Sequence, residues 1–206
     1  MDHTSPQLQP KPDTSTMITA VVTASGAALY GAVVLITGVF GTIAALSAES
    51  VTLPQPVDAA IPGSTANDGT TLAEGTYRMS DITVTGLGAG VRALLAGSRA
   101  LDSSMHLTVA IGVILLCVAL AKGRPFIPLM RRALTVISMT VIVGGLLGSG
   151  LLGFANMEIA HSLDRAEFPM VANIDFTAAI VGVALALVAA AFELGERLQR
   201  DSEGLV

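Results

Sequence analysis

The 206 residues are 52% hydrophobic and only 13% charged, against the ~25% charged content usual in soluble domains, and the mean hydropathy is +0.70. A net charge of -5 with eleven Lys and Arg gives no broad basic field and excludes extensive direct contact with nucleic acid. Cys117 is the single cysteine, so an intrachain disulfide and a thiolate metal cluster are excluded too.

Residues 1–16 hold Pro6, Pro10 and Pro12 and almost nothing apolar. Such a segment buries too little surface to offset the entropy of ordering, and it reads as a cytoplasmic leader. Four long apolar stretches follow, at 17–48, 105–121, 133–155 and 174–192. A hydrocarbon core ~30 Å thick is crossed by ~20 apolar helical residues, so each stretch is a candidate span. The first ends in the small residues Ala45, Ser47 and Ala48, as a signal-peptide cleavage site does. It is about twice as long as the ~7–15 residues of a signal core and follows no basic segment, which favours a tilted or extended first span. Within it Ala20, Ala24, Ala28 and Ala32 recur every fourth position, a pattern expected to form a packing stripe between apolar helices.

Residues 49–104 form the largest connection. Its first part, 49–73, is rich in Pro, Gly, Ala and Thr and reads as a flexible link. From Thr76 to Thr85 the chain alternates, with Ile82 and Val84 on one face and Asp81, Thr83 and Thr85 on the other, which predicts one strand of a short pair. From Ala89 to Leu101, Val91, Leu94, Leu95 and Ser98 recur at helical spacing beside Arg92 and Arg99, which predicts a short helix lying on the outer membrane interface.

The turn at 122–132 carries Lys122, Arg124, Arg131 and Arg132 and no acid, whereas the 49–104 and 156–173 connections are acidic on balance. The positive-inside bias then puts the turn and both termini in the cytoplasm. The third stretch adds Gly144 and Gly148 as packing residues, and the fourth adds Ala178, Gly182, Ala186 and Ala190. The expected fold is an all-α membrane protein of four transmembrane helices, N-in and C-in, with a small extracytoplasmic strand pair and interfacial helix between the first two spans.

Glu158, His161 and Asp164 fall at i, i+3 and i+6, a spacing able to present metal ligands on one helix face, and His106 is a fourth candidate. The two histidines are also the residues a haem would need. The blander reading is a solvated acidic loop. Glu193 stands where the fourth stretch ends and is followed by Arg197 at i+4, so it is either a relay acid or half of an ordinary helical ion pair. No P-loop, no nucleophile paired with a base and no zinc-protease motif is present. A non-enzymatic protein with no cofactor is therefore expected.

The turn Gly123, Arg124, Pro125, Phe126, Ile127, Pro128 with Arg131 and Arg132, and the tail Phe192, Glu193, Gly195, Glu196, Arg197, Leu198 with the terminal Glu203, Gly204, Leu205, Val206, resemble the bacterial membrane family known as domain of unknown function 2975. The resemblance implies a bacterial cytoplasmic-membrane protein often encoded beside a very small helix-turn-helix regulator. No catalytic residue comes with it. The expected role is regulation or tethering of a cytoplasmic protein partner through Lys122, Arg124, Arg131, Arg132, Arg197, Leu198, Arg200, Leu205 and Val206. The competing expectations are an accessory subunit whose stripes face other membrane chains, and a small-molecule or metal transporter acting through His106, His161 or Glu158. The surrounding partner in every case is membrane lipid.

Overall fold

The computed structural model describes residues 13–61, 64–65, 71–72, 75–122 and 128–203. Four helices dominate: α1 (Thr14–Ser47), α2 (Ala89–Ala121), α3 (Pro128–Leu163) and α4 (Thr177–Glu203). Between α1 and α2 lie β1 (Ser50–Ile61), β2 (Ser64–Thr65), β3 (Thr71–Leu72) and β4 (Gly75–Thr85), with β1 antiparallel to β4 and β2 to β3. All four helices contain a stretch long and apolar enough to cross a membrane. At 1.5 Å rise per residue the 36 residues of α3 extend ~54 Å, well beyond ~30 Å of hydrocarbon.

Local chemistry sets the ends. Asp13 caps α1: its carbonyl accepts the Met17 N–H at 3.1 Å and its carboxylate the Thr14 N–H at 2.7 Å. Pro128 opens α3, where its fixed φ suits a first helical position and its missing N–H has no helical partner to lose. Asp164 closes α3 in the left-handed region (φ 47°) and donates its N–H to Ala160 O at 3.2 Å. Gly86, at φ 71°, makes the turn from β4 toward α2, a conformation costly for any residue with a Cβ.

The chain divides into two compact units. One takes the described residues up to Ile36, with Ser103–Gly144 and Thr177 onward. Its described elements are all helices, and successive helices approach closely at glycines. A Cβ on Gly31 would lie 3.3 Å from Ala110 Cβ, one on Gly112 would strike Ile137 Cδ1, and one on Gly182 would strike Ile142 Cγ1 and lie 3.1 Å from the Ser138 carbonyl oxygen. Ser138 Oγ donates to Gly182 O at 2.7 Å across the same contact. Large apolar side chains such as Leu29, Val136, Ile180 and Leu187 point outward, as a lipid-facing surface requires.

The packing stripes differ from the every-fourth-residue pattern. On α1 the covered positions are Ala20, Ala24, Ala27, Gly31 and Val34, while Ala28 and Ala32 are exposed. On α4 they are Ala178, Gly182, Leu185 and Ala189, while Ala186 and Ala190 are exposed. Four residues advance ~400°, so an i+4 stripe drifts ~40° per step and leaves the contact, whereas alternating steps of four and three stay on it. Gly144 and Gly148 of α3 are both buried.

The second unit, Thr37–Asp102 with Gly145–Phe176, has a core of a different kind. Val51 and Leu53 of β1 meet Val91, Leu95 and Ala96 of α2, Ala155 and Ile159 of α3, and Ala45 of α1. Ile82 and Val84 pack on this core from β4 while Asp81, Thr83 and Thr85 are exposed, as the alternation predicts. The register pairs Val51 with Val84 and Leu53 with Ile82, and the Thr52 and Thr83 hydroxyls meet on the outer face at 2.9 Å. Pro54 and Pro56 are accommodated because each strand of a two-stranded sheet keeps a free edge.

Two expectations need correction here. Residues 50–61, read as part of a flexible link, form β1, held by the burial of Val51, Leu53 and Gln55. Residues 89–101, read as a separate interfacial helix, are continuous with α2, and their apolar face is covered by protein. Arg92 is half-buried, and its guanidinium donates to Leu87 O at 3.1 Å and to the α1-end carbonyls of Ala48 at 2.7 Å and Ala45 at 3.4 Å. A cation there favours the helix C-terminus and satisfies carbonyls that lack helical donors.

The glycine contacts generate a contrast of sign. Gly182→Ala should lower thermal stability in detergent by about 1–3 kcal/mol through overpacking. Gly26→Ala, with nothing within 4 Å of the new methyl, should leave it unchanged or raise it by about 0.4–1 kcal/mol.

Candidate functional site

The most chemically differentiated place in the helical unit is where the first turns of α3 meet the last turns of α4. Arg131 Nη1 lies 3.7 Å from Glu193 Oε1, and Arg197 Nη2 donates to the same oxygen at 2.7 Å. The Glu193–Arg197 pair is the i,i+4 arrangement legible in the sequence. The bridge to Arg131 on the neighbouring helix is not, because nothing local marks two helices as adjacent. All three side chains are more than a third exposed, so the ion pairs orient the groups more than they stabilise the fold.

Below this cluster runs a cleft of ≈ 280 Å³ lined by Arg131, Thr135, Ser138, Met139, Ala186, Ala189, Ala190 and Glu193. Ala186 and Ala190, expected as packing residues, therefore form a wall. The apolar run of α4 ends at Phe192, ahead of Glu193, Glu196 and Arg197, but the helix continues to Glu203. That continuation presents Arg197 and Leu198, the latter 69% exposed, with Arg132 and Lys122 exposed elsewhere in the unit. Arg124, Leu205 and Val206 lie outside the described residues, as does the side chain of Arg200.

The other unit holds a buried amide clasp that sequence reading missed. Gln55 is 0% and Asn156 4% exposed. Gln55 Nε2 donates to Asn156 O at 3.0 Å, and Asn156 Nδ2 donates to Pro54 O at 3.1 Å, tying β1 to α3. Gln55 Oε1 and Asn156 Oδ1 remain buried without a hydrogen-bond partner. The pattern gave one weak signal: Gln55 stands at the inward phase of Val51 and Leu53.

The metal candidates do not assemble. Glu158 and His161 are exposed on α3, Asp164 follows its end, and His106 packs edge-on to Tyr30 with ring centroids 6.3 Å apart. Among the described residues no three or more His, Cys, Asp or Glu side chains converge as a metal would require. Cys117 is a buried free thiol on α2.

No family model matches the chain, and no curated protein or solved structure matches it.

The clasp predicts a loss at either end. Asn156→Leu leaves the Pro54 carbonyl without its side-chain donor, and Gln55→Met leaves the Asn156 carbonyl without its own; each should cost about 1–3 kcal/mol. Hydrogen exchange of the β1 amides reads both, and unchanged protection in the two variants would contradict the clasp.

Proposed function

We propose that this chain is a non-enzymatic, multi-pass protein of the bacterial cytoplasmic membrane that regulates or tethers a cytoplasmic protein partner through the charged ends of α3 and α4. The observation that carries this reading is the continuation of α4 past its apolar stretch, with Leu198 exposed beside Arg197. A polar helix end needs no exposed leucine for solubility, whereas an apolar residue flanked by charge suits a partner's groove.

Charge supports the sidedness. Lys122, Arg131 and Arg132 lie at the ends of α2 and α3 that meet at the basic turn, and the positive-inside bias puts that turn in the cytoplasm with both termini. On this topology the sheet-bearing unit is extracytoplasmic. The class of partner, a small helix-turn-helix regulator, comes from the resemblance of the turn and tail to the domain of unknown function 2975 family. Regulation then requires two states of the membrane protein that differ in affinity for that partner.

Affinity capture from gently solubilised native membranes tests the reading. The full chain should recover a small soluble protein, and Leu198→Asp should reduce that recovery roughly tenfold, as loss of one interface anchor does. Stoichiometric integral-membrane partners, unaffected by Leu198→Asp, would replace the regulator by an accessory subunit of a larger complex.

A further inference from the structure

The α3–α4 cleft changes character along its length. Arg131 and Glu193 stand at one end, Met139 and Ala186 at the other. The hydroxyls between them are already satisfied by backbone carbonyls: Thr135 Oγ1 donates to Arg131 O at 3.0 Å, and Ser138 Oγ to Gly182 O at 2.7 Å. What remains is a largely apolar trough floored by small side chains, with no free hydroxyl donor to offer a polar solute. From Arg131 to Met139 the helix rises ~12 Å, most of the ~15 Å that one leaflet contributes to the hydrocarbon core.

The mouth has the opposite chemistry. Two guanidinium groups, Arg131 and Arg197, share the single carboxylate of Glu193, and Arg132 adds an exposed positive charge next to Arg131 in the chain. Among the described side chains of this cluster Arg131, Arg132 and Arg197 stand against the one carboxylate of Glu193, so the excess is positive and favours an anionic headgroup over a neutral one. Basic pockets between helices at the cytoplasmic surface suit anionic lipid headgroups.

We propose that this cleft binds one anionic phospholipid of the surrounding leaflet, an acyl chain lying along Ala186 and Met139 and the phosphate taken by Arg131. The occupant rests on the membrane topology proposed above. A phosphate on Arg131 competes with Glu193 for that guanidinium and leaves Glu193 to Arg197. Lipid occupancy is thereby coupled to the residues that flank Leu198.

The full chain, reconstituted in phosphatidylcholine vesicles with or without phosphatidylglycerol and taken into mild detergent, can be examined by native mass spectrometry. A single phosphatidylglycerol should stay with the chain under conditions that strip phosphatidylcholine. Arg131→Gln should weaken that retention about fivefold, as expected for one basic residue at an anionic surface. Ala186→Leu, which fills the trough, should abolish it. Ala190→Leu on the same wall provides a second filling variant, with circular dichroism to confirm that each remains folded. Equal retention of both lipids, unchanged by the substitutions, would overturn the proposal. Release of the wild-type chain from vesicles by alkaline carbonate would overturn the membrane topology itself and the lipid site with it.

Discussion

Close approach of helix backbones through small residues is the constraint on which the helical unit depends. Apolar side chains gain nothing by leaving lipid for one another, so neighbouring helices are held by packing at short range and by a few interhelical hydrogen bonds. Gly31 against Ala110, Gly112 against Ile137 and Gly182 against Ile142 supply the packing. Ser138 to Gly182 supplies a hydrogen bond at the last of these contacts. With the small residues on the seam, the long apolar side chains are left for the outer surface, where lipid would solvate them. The same geometry makes the cleft, because the i+4 drift turns Ala186 and Ala190 out of the seam and leaves a shallow trough beside it.

The sheet-bearing unit is held by the opposite logic. Its core buries leucine, isoleucine and valine from a strand pair and two helices, with Ala45 of α1, and its outer sheet face carries threonine and aspartate. That partition is the one expected of an antiparallel sheet with one face in water. The amide clasp between Gln55 and Asn156 adds specificity at a cost in unsatisfied oxygens: slipping β1 by one residue would turn Val51, Leu53 and Gln55 outward together. On the proposed topology α2 and α3 each pass from one solvent regime to the other. Their sequences carry the change, with Arg92, Arg99 and Asp102 in the first half of α2 and Asn156, Glu158 and His161 near the end of α3.

Legibility in the sequence followed how local the physics was. The four apolar stretches, the alternation around Ile82 and Val84, and the Glu193–Arg197 spacing each depend on residues a few positions apart, and each is present. β1 escaped notice because Pro54 and Pro56 read as loop, although Val51 and Leu53 keep the strand period. The continuity of α2 was hidden by its charged residues, which interrupt an apolar run without interrupting a helix. Arg131 with Glu193, Arg92 with the end of α1, and Gln55 with Asn156 are pairings between elements distant in the chain, and no local pattern encodes them.

The central claim is that the chain crosses a bilayer four times with the basic turn and the end of α4 on the inner side. Single cysteines at Met79, Ala166, Lys122 and Leu198, each in a Cys117→Ser background and probed in intact cells with a membrane-impermeant thiol reagent, test it directly. The account predicts labelling at 79 and 166, with 122 and 198 labelled only after the membrane is opened. Labelling at 122 and 198 in intact cells, with 79 and 166 protected, would contradict it.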